Sequence, residues 1–227
     1  SKCFPLVAPP TINNVNINPS HSAKFLGIVV DEDLNWAEHV STLGKKLNKA
    51  VFAVRCLTAA VSLDTLMIAY HAYVASHLRY GILLWGGSSH AGHIFIIQKR
   101  VVRWINDPST APNNPSCRSV FRKLNILTLT GIYIYECALF VRSHPELVTR
   151  GRELHSHDTR QKLAIRPLAA RSRTLHSGPL NMCIKIFNHL PQVLTCSPCI
   201  KKFKRGLKTF LIDKEFYTLE EFFRENF

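Results

Sequence analysis

Apolar positions change period twice along this chain. Val15-Asn16-Ile17 alternates at period two, and Pro19-Ser20-His21-Ser22 has turn chemistry. Lys24-Phe25-Leu26-Gly27-Ile28-Val29-Val30 is then a β-branched run long enough for a strand, closed by Asp31-Glu32-Asp33. From Trp36 to Ala60 the spacing becomes helical. Val40, Leu43, Leu47, Ala50, Val54 and Leu57 fall at alternating three- and four-residue steps, which predicts one long helix with a single buried stripe. Lys45, Lys46, Lys49 and Arg55 lie off that stripe.

Ser62 is the expected N-cap of a second helix, with Asp64 in its first turn. Leu66, Tyr70, Tyr73, Val74 and His77 share its predicted inner face, and Tyr80-Gly81 ends it. A third helix is expected from His90 to Ile105, with Ile94, Ile97, Val101 and Ile105 inward and Lys99, Arg100 and Arg103 grouped. Asp107-Pro108 stops it, and Pro112-Asn113-Asn114-Pro115 reads as a loop. Further helices are predicted over residues 116–124, 129–142, 179–189 and 199–211. Thr218-Leu219-Glu220-Glu221 has the spacing of a capping box that opens a last short one. Between Thr149 and Gly178 the apolar period fades into a basic loop or arm.

The pattern predicts a mainly α protein in four parts. Short N-terminal strands or a hairpin occupy residues 1–35, a helical bundle 36–148, the basic arm 149–178, and a helical, partly irregular C-terminal region 179–227.

At 227 residues and 46% hydrophobic, the chain has enough apolar side chain for a core. Lys plus Arg number 29 against 15 Asp plus Glu, a net charge of +14 that attracts polyanions. The charge is unevenly placed. No Asp or Glu occurs between Thr159 and Ile212, where Arg160, Lys162, Arg166, Arg171, Arg173, Lys185, Lys201, Lys202, Lys204, Arg205 and Lys208 accumulate. Solvated helix faces normally intersperse acids for solubility, so this stretch reads as a phosphate-facing surface. The apolar run Gly131–Val141 is broken by Glu136 and is shorter than the ~20 residues of a spanning helix, so no membrane partner is expected. Seven cysteines without a secretory signal read as reduced thiols. The chain opens on Ser1 with no initiating Met, which is the expectation for the tail of a longer protein.

Catalytic constellations are missing from the sequence. Metal-assisted phosphoryl transfer needs clustered carboxylates, and the one dense acidic run, Asp31-Glu32-Asp33, reads as a turn. No Gly-rich phosphate loop is present. Cys196 and Cys199 have the spacing of half a zinc site, with Cys183 and His189 upstream, but a second ligand pair is not evident. His155, His157 and Asp158 have no nucleophile near them and read as a hydrogen-bonded turn. Trp36, Trp85 and Trp104 read as packing aromatics.

Taken in order, several short motifs resemble a known family. They are Lys24-Phe25-Leu26-Gly27-Ile28, Leu34-Asn35-Trp36-Ala37-Glu38-His39-Val40, the Lys45-Lys46-x-Asn48-Lys49-Ala50 helix, Tyr80-Gly81 with Trp85, and Gln98-Lys99-Arg100 leading to Arg103-Trp104-Ile105. Leu124-Asn125-Ile126-Leu127-Thr128, Tyr133-Ile134-Tyr135-Glu136-Cys137, His157-Asp158-Thr159-Arg160 and Phe187-Asn188-His189-Leu190-Pro191 follow. Phe203-Lys204-x-x-Leu207-Lys208 and Phe216-Tyr217-Thr218-Leu219-Glu220-Glu221-Phe222 complete the series. It resembles the C-terminal third of the reverse transcriptases of LINE-type, jockey-like non-LTR retrotransposons.

The resemblance implies that Lys24, Phe25, Leu26 and Gly27 correspond to the primer-holding strand at the palm–thumb junction, and that residues 36–105 form the thumb. It implies an RNA–DNA or DNA duplex as partner, recognised without sequence preference, together with the upstream fingers and palm of the same polyprotein and a nuclear setting. The catalytic aspartates and their magnesium would lie in that palm, so no cofactor is expected on this chain. A thumb follows a product of changing sequence and should contact phosphates. Lys45, Lys46, Lys49 and Arg55 offer one row; Lys99, Arg100 and Arg103 a second; Arg160, Lys162, Lys201, Lys202, Lys204 and Arg205 the tail's contribution. The alternative is a stand-alone basic helical module that binds nucleic acid or protein without catalysis.

Overall fold

The computed structural model describes residues 11–13, 15–16, 20–107, 116–150, 165–167 and 178–227. It is mainly helical, as its periodicities predict. Strands β1 (Thr11–Ile12) and β2 (Val15–Asn16) pair, as do β3 (Ser22–Phe25) and β4 (Ile28–Asp31), all antiparallel. The run expected as a single strand over Lys24–Val30 is therefore the tip of a hairpin. Leu26 and Gly27 take left-handed φ of 47° and 82°, the geometry of a two-residue turn that matches strand twist. Gly27 adopts this readily, and Leu26 is held there by a partner described below.

Helix α1 (Ala37–Leu57) follows. Both carboxylate oxygens of Asp31 accept backbone N–H groups, from Asn35 and Trp36, each at 2.8 Å, and so shape the entry to α1. The acidic run is a turn brace. The second helix is α2 (Leu63–Ala69), a π segment (Tyr70–Ala75) and α3 (Ser76–Arg79) without interruption. Ser62 caps it, its hydroxyl accepting from Thr65 N–H at 3.4 Å. In the π segment the Ser76 N–H reaches back five residues to His71 O. That wide turn delays the inner face by about one residue, so Ala75 and Leu78 are buried while Tyr73 and His77, expected inside, are exposed.

Gly81, at φ 63°, turns the chain into the short α4 (Ile82–Trp85). Then come α5 (Ala91–Asn106), α6 (Arg118–Lys123) and α7 (Leu129–Ser143), a 3₁₀ turn (Pro145–Leu147), and the pair β5 (Thr149–Arg150) with β6 (Ile165–Arg166). Helices α8 (Pro179–His189), α9 (Gln192–Thr195), α10 (Ile200–Lys214) and α11 (Leu219–Arg224) complete the chain. One continuous core runs from Val40 to Phe222, with α7 packed between α5 on one side and α8 and α10 on the other.

The last elements return to the first. Thr128 Oγ1 donates to Phe216 O at 2.6 Å, Thr130 Oγ1 to Tyr217 O at 2.8 Å, and Cys117 N–H to the Tyr217 hydroxyl at 2.9 Å. Arg118 lies over the Tyr217 ring and binds Glu221 at 2.7 Å. Thr218 caps α11 by accepting from Glu221 N–H, but the Glu221 carboxylate bonds Tyr217 N–H instead of closing a box on Thr218.

Candidate nucleic-acid interface

The hairpin tip stands on the bundle. Phe25 and Leu26 are 68% and 74% exposed, and Lys24 and Gly27 are exposed beside them. Three contacts hold the tip. The Tyr80 hydroxyl donates to Leu26 O, which fixes the left-handed turn. A Cβ on Gly81 would lie 2.5 Å from Ile28 Cδ1, so a larger residue there would have to displace the Ile28 side chain and hold a left-handed φ of 63°. The Val29 N–H donates to His39 Nδ1 at 3.3 Å. His39 is buried on α1 beside Trp85, and Trp85 Nε1 donates to Tyr80 O at 3.1 Å, which joins the clamps. Burial, helped by Lys46, lowers the pKa of His39, in keeping with its role as a neutral acceptor.

Helices α1 and α5 form the main cationic seam. Gly44 packs against His93, Arg100 Nη1 donates to Asn48 Oδ1 at 3.4 Å, and the Arg55 guanidinium lies 4.5 Å from the centroid of the Trp104 ring. Both helices therefore run in the same direction along the seam. Asn48 and Arg55 line its α1 side and His93, Arg100 and Trp104 its α5 side, with Lys45, Lys49 and Phe52 exposed elsewhere on α1 and Ile96 exposed on α5. Phe52 and Ile96 are 67% and 53% exposed. The two helices carry a single carboxylate, Glu38, at the far N-terminal end of α1.

The structure sorts the expected rows. Lys45 and Lys49 are exposed one turn apart on α1, while Lys46 lies round the helix on the His39 side. Arg100 is on the seam. Lys99 is not: its Nζ sits 4.9 Å from the Phe95 ring and 5.5 Å from that of Tyr217, on the flank that meets the C-terminal return. Arg103 is half-buried between the two. Lys201, Lys202, Lys204 and Arg205 are all exposed, on α10. Arg160, Lys162 and the His155–Asp158 group lie outside the described residues. Reading by sequence missed His39, Tyr80, Asn48 and Trp104; the available signal was a histidine at the edge of an apolar stripe.

The other candidates disperse. Cys196 and Cys199 are exposed, and Cys199 Sγ accepts from Lys202 N–H at 3.5 Å as the cap of α10. Cys183 is instead buried against Cys137, and His189 Nε2 bonds Phe222 O. Among the described residues, no group of three His, Cys, Asp or Glu side chains could hold a metal. A cleft of about 970 Å³ beside the hairpin is lined by Leu34, Trp36, Leu84, Tyr133 and Met182, with no Lys or Arg. No helix among the described residues is long and apolar enough to cross a membrane.

Comparison with known proteins finds retrotransposon polymerases. The chain is 29% identical over 101 residues to the RNA-directed DNA polymerase from mobile element jockey of Drosophila funebris, 42% of this chain and 11% of that protein. It is 28% identical over 138 residues to the probable RNA-directed DNA polymerase from transposon X-element of Drosophila melanogaster, 54% of this chain and 15% of the relative. With the probable RNA-directed DNA polymerase from transposon BS of the same fly it shares 28% identity over 174 residues, 74% and 18% of the two chains.

This chain resembles jockey-like retrotransposon polymerases.

The match spans less than a fifth of the length of each of these relatives. No family model matches the chain, and no solved structure does.

Proposed function

We propose that this chain is the thumb and C-terminal region of a LINE-type reverse transcriptase, and that it grips the primer–template duplex through backbone phosphates. The observation that carries the reading is the α1/α5 seam. It sets Arg55 and Arg100 where two co-directional helices meet, with Lys45 and Lys49 exposed on α1 and Glu38 the one carboxylate of the two helices. Point charges on rigid helices suit phosphates, which do not change with sequence. Phe52 and Ile96 offer apolar contact to sugars.

The exposed hairpin tip, held by Tyr80 and His39, supports a primer-facing role for Lys24, Phe25, Leu26 and Gly27. Catalysis, with its magnesium, would come from fingers and palm in the same polyprotein. In this chain's densest acidic run, both Asp31 oxygens accept backbone N–H groups and brace a turn.

The test is binding of RNA–DNA hybrids of several sequences across a salt series. Affinity should fall with a log–log slope of about −0.9 for each phosphate neutralised on B-form duplex, and by similar amounts for every sequence. A salt-independent affinity, or one that follows sequence, overturns the reading.

A further inference from the structure

A second cationic surface lies on α10. Lys201, Lys204, Arg205 and Lys208 stand at i, i+3, i+4 and i+7, which puts them on one flank of the helix over a length of about 10 Å. Lys201, Lys204 and Arg205 are exposed and Lys208 is half-buried. None of them is ion-paired with a described residue.

This flank is continued by three other elements. Lys208 lies close enough to His71 of the π segment to help lower its pKa, and Arg79 of α3 acts on the same ring, although burial is the larger cause. Lys204 and Arg79 both act on Glu136 of α7, whose Oε1 lies 3.7 Å from Arg79 Nε. Of these five cations, only Arg79 and Lys204 have a carboxylate, Glu136, beside them. Like charges at this density repel unless an anion lies among them. The four flank positions offer no apolar side chain of the kind that anchors a protein partner, which leaves a repeating anion as the complementary ligand.

The α10 surface is not an extension of the seam. The seam is closed by Arg100 with Asn48 and by Arg55 with Trp104, whereas the α10 surface is built with α3, α7 and the π segment. Helix α7 packs between α5 and α10. We infer that the chain holds two segments of nucleic acid at once, one along the α1/α5 seam and a second, by its phosphodiester backbone, along Lys201, Lys204, Arg205 and Lys208. The inference rests on the seam being a nucleic-acid site, as proposed above.

Native mass spectrometry of the full chain with a short RNA–DNA hybrid tests it. The expected complexes contain one chain and two hybrids. The K201A/K204A/R205A/K208A variant should stop at one hybrid and keep its remaining affinity within about twofold. An arginine-for-lysine version of the three lysines should restore the second hybrid, which separates lost charge from lost folding. A single hybrid on the native chain, or two on the alanine variant, overturns this inference and leaves the seam proposal standing. No complex at all overturns both.

Discussion

At the scale of the residue, the hairpin is set by two side chains that reach it from the bundle. His39 accepts from Val29 N–H only while its Nδ1 is unprotonated, and its pKa is lowered chiefly by burial. Undocking the hairpin exposes His39 and moves its pKa back up towards the ordinary 6.5, so undocking takes up a proton. Docking is then at full strength above pH 6.5 and is lost as pH falls through the lowered value. Amide exchange at Val29 should accelerate beyond its intrinsic rate over that range, and His39→Asn should abolish the pH dependence; an unchanged protection factor at pH 5 contradicts the clamp. Tyr80→Phe removes the bond to Leu26 O and should loosen the turn by about 0.5–1.5 kcal/mol at any pH.

Residues also show where the sequence stops being informative. Leu26 sits at positive φ, where a β-branched neighbourhood argues for a continuous strand, and the hydroxyl that holds it comes from a distant helix. Gly27 was the one local sign of a turn. Lys99 looked like part of a phosphate row because nothing within α5 distinguishes it from Arg100. Its position over Phe95 and Tyr217 depends on a chain return that pattern does not reveal.

Among the elements, strongly amphipathic helices were legible. The stripes of α1, α5, α8 and α10 are buried as their spacing required, because one apolar face against a core is all those helices need. The π segment was not legible: widening one turn changes no residue type yet moves the buried face from His77 to Leu78. Helix α10 has an unusual start, with Lys201 and Lys202 in its first turn and a weak sulfur cap. Cations there oppose the helix dipole. Lys202→Glu should therefore raise stability by about 0.3–1 kcal/mol in a thermal melt while weakening nucleic-acid binding. A lower melting temperature would contradict a start whose charge is retained for a ligand.

For the whole molecule, the C-terminal return bonds Phe216 and Tyr217 to Thr128, Thr130 and Cys117, which predicts one cooperative unfolding unit. Thr128 is buried; its hydroxyl both caps α7, accepting from Gly131 N–H at 3.0 Å, and donates to Phe216 O. Thr128→Val loses both bonds and should cost about 1–3 kcal/mol. Trp36, Trp85 and Trp104 all precede Thr128, so their fluorescence reports on the N-terminal bundle. Its midpoint should fall together with helical circular dichroism in a single transition. A tryptophan transition unmoved while dichroism shifts would show two independent units.

The central claim is that α1 and α5 hold nucleic acid by phosphates at their seam. Its most direct measurement is the salt dependence of RNA–DNA hybrid binding by K45A/K49A/R100A beside the native chain, with K185A as control. Loss of three phosphate contacts predicts a log–log slope shallower by up to about 2.7, with equal losses for every duplex sequence and an unchanged slope for the control. A triple variant with the native slope and affinity would contradict it.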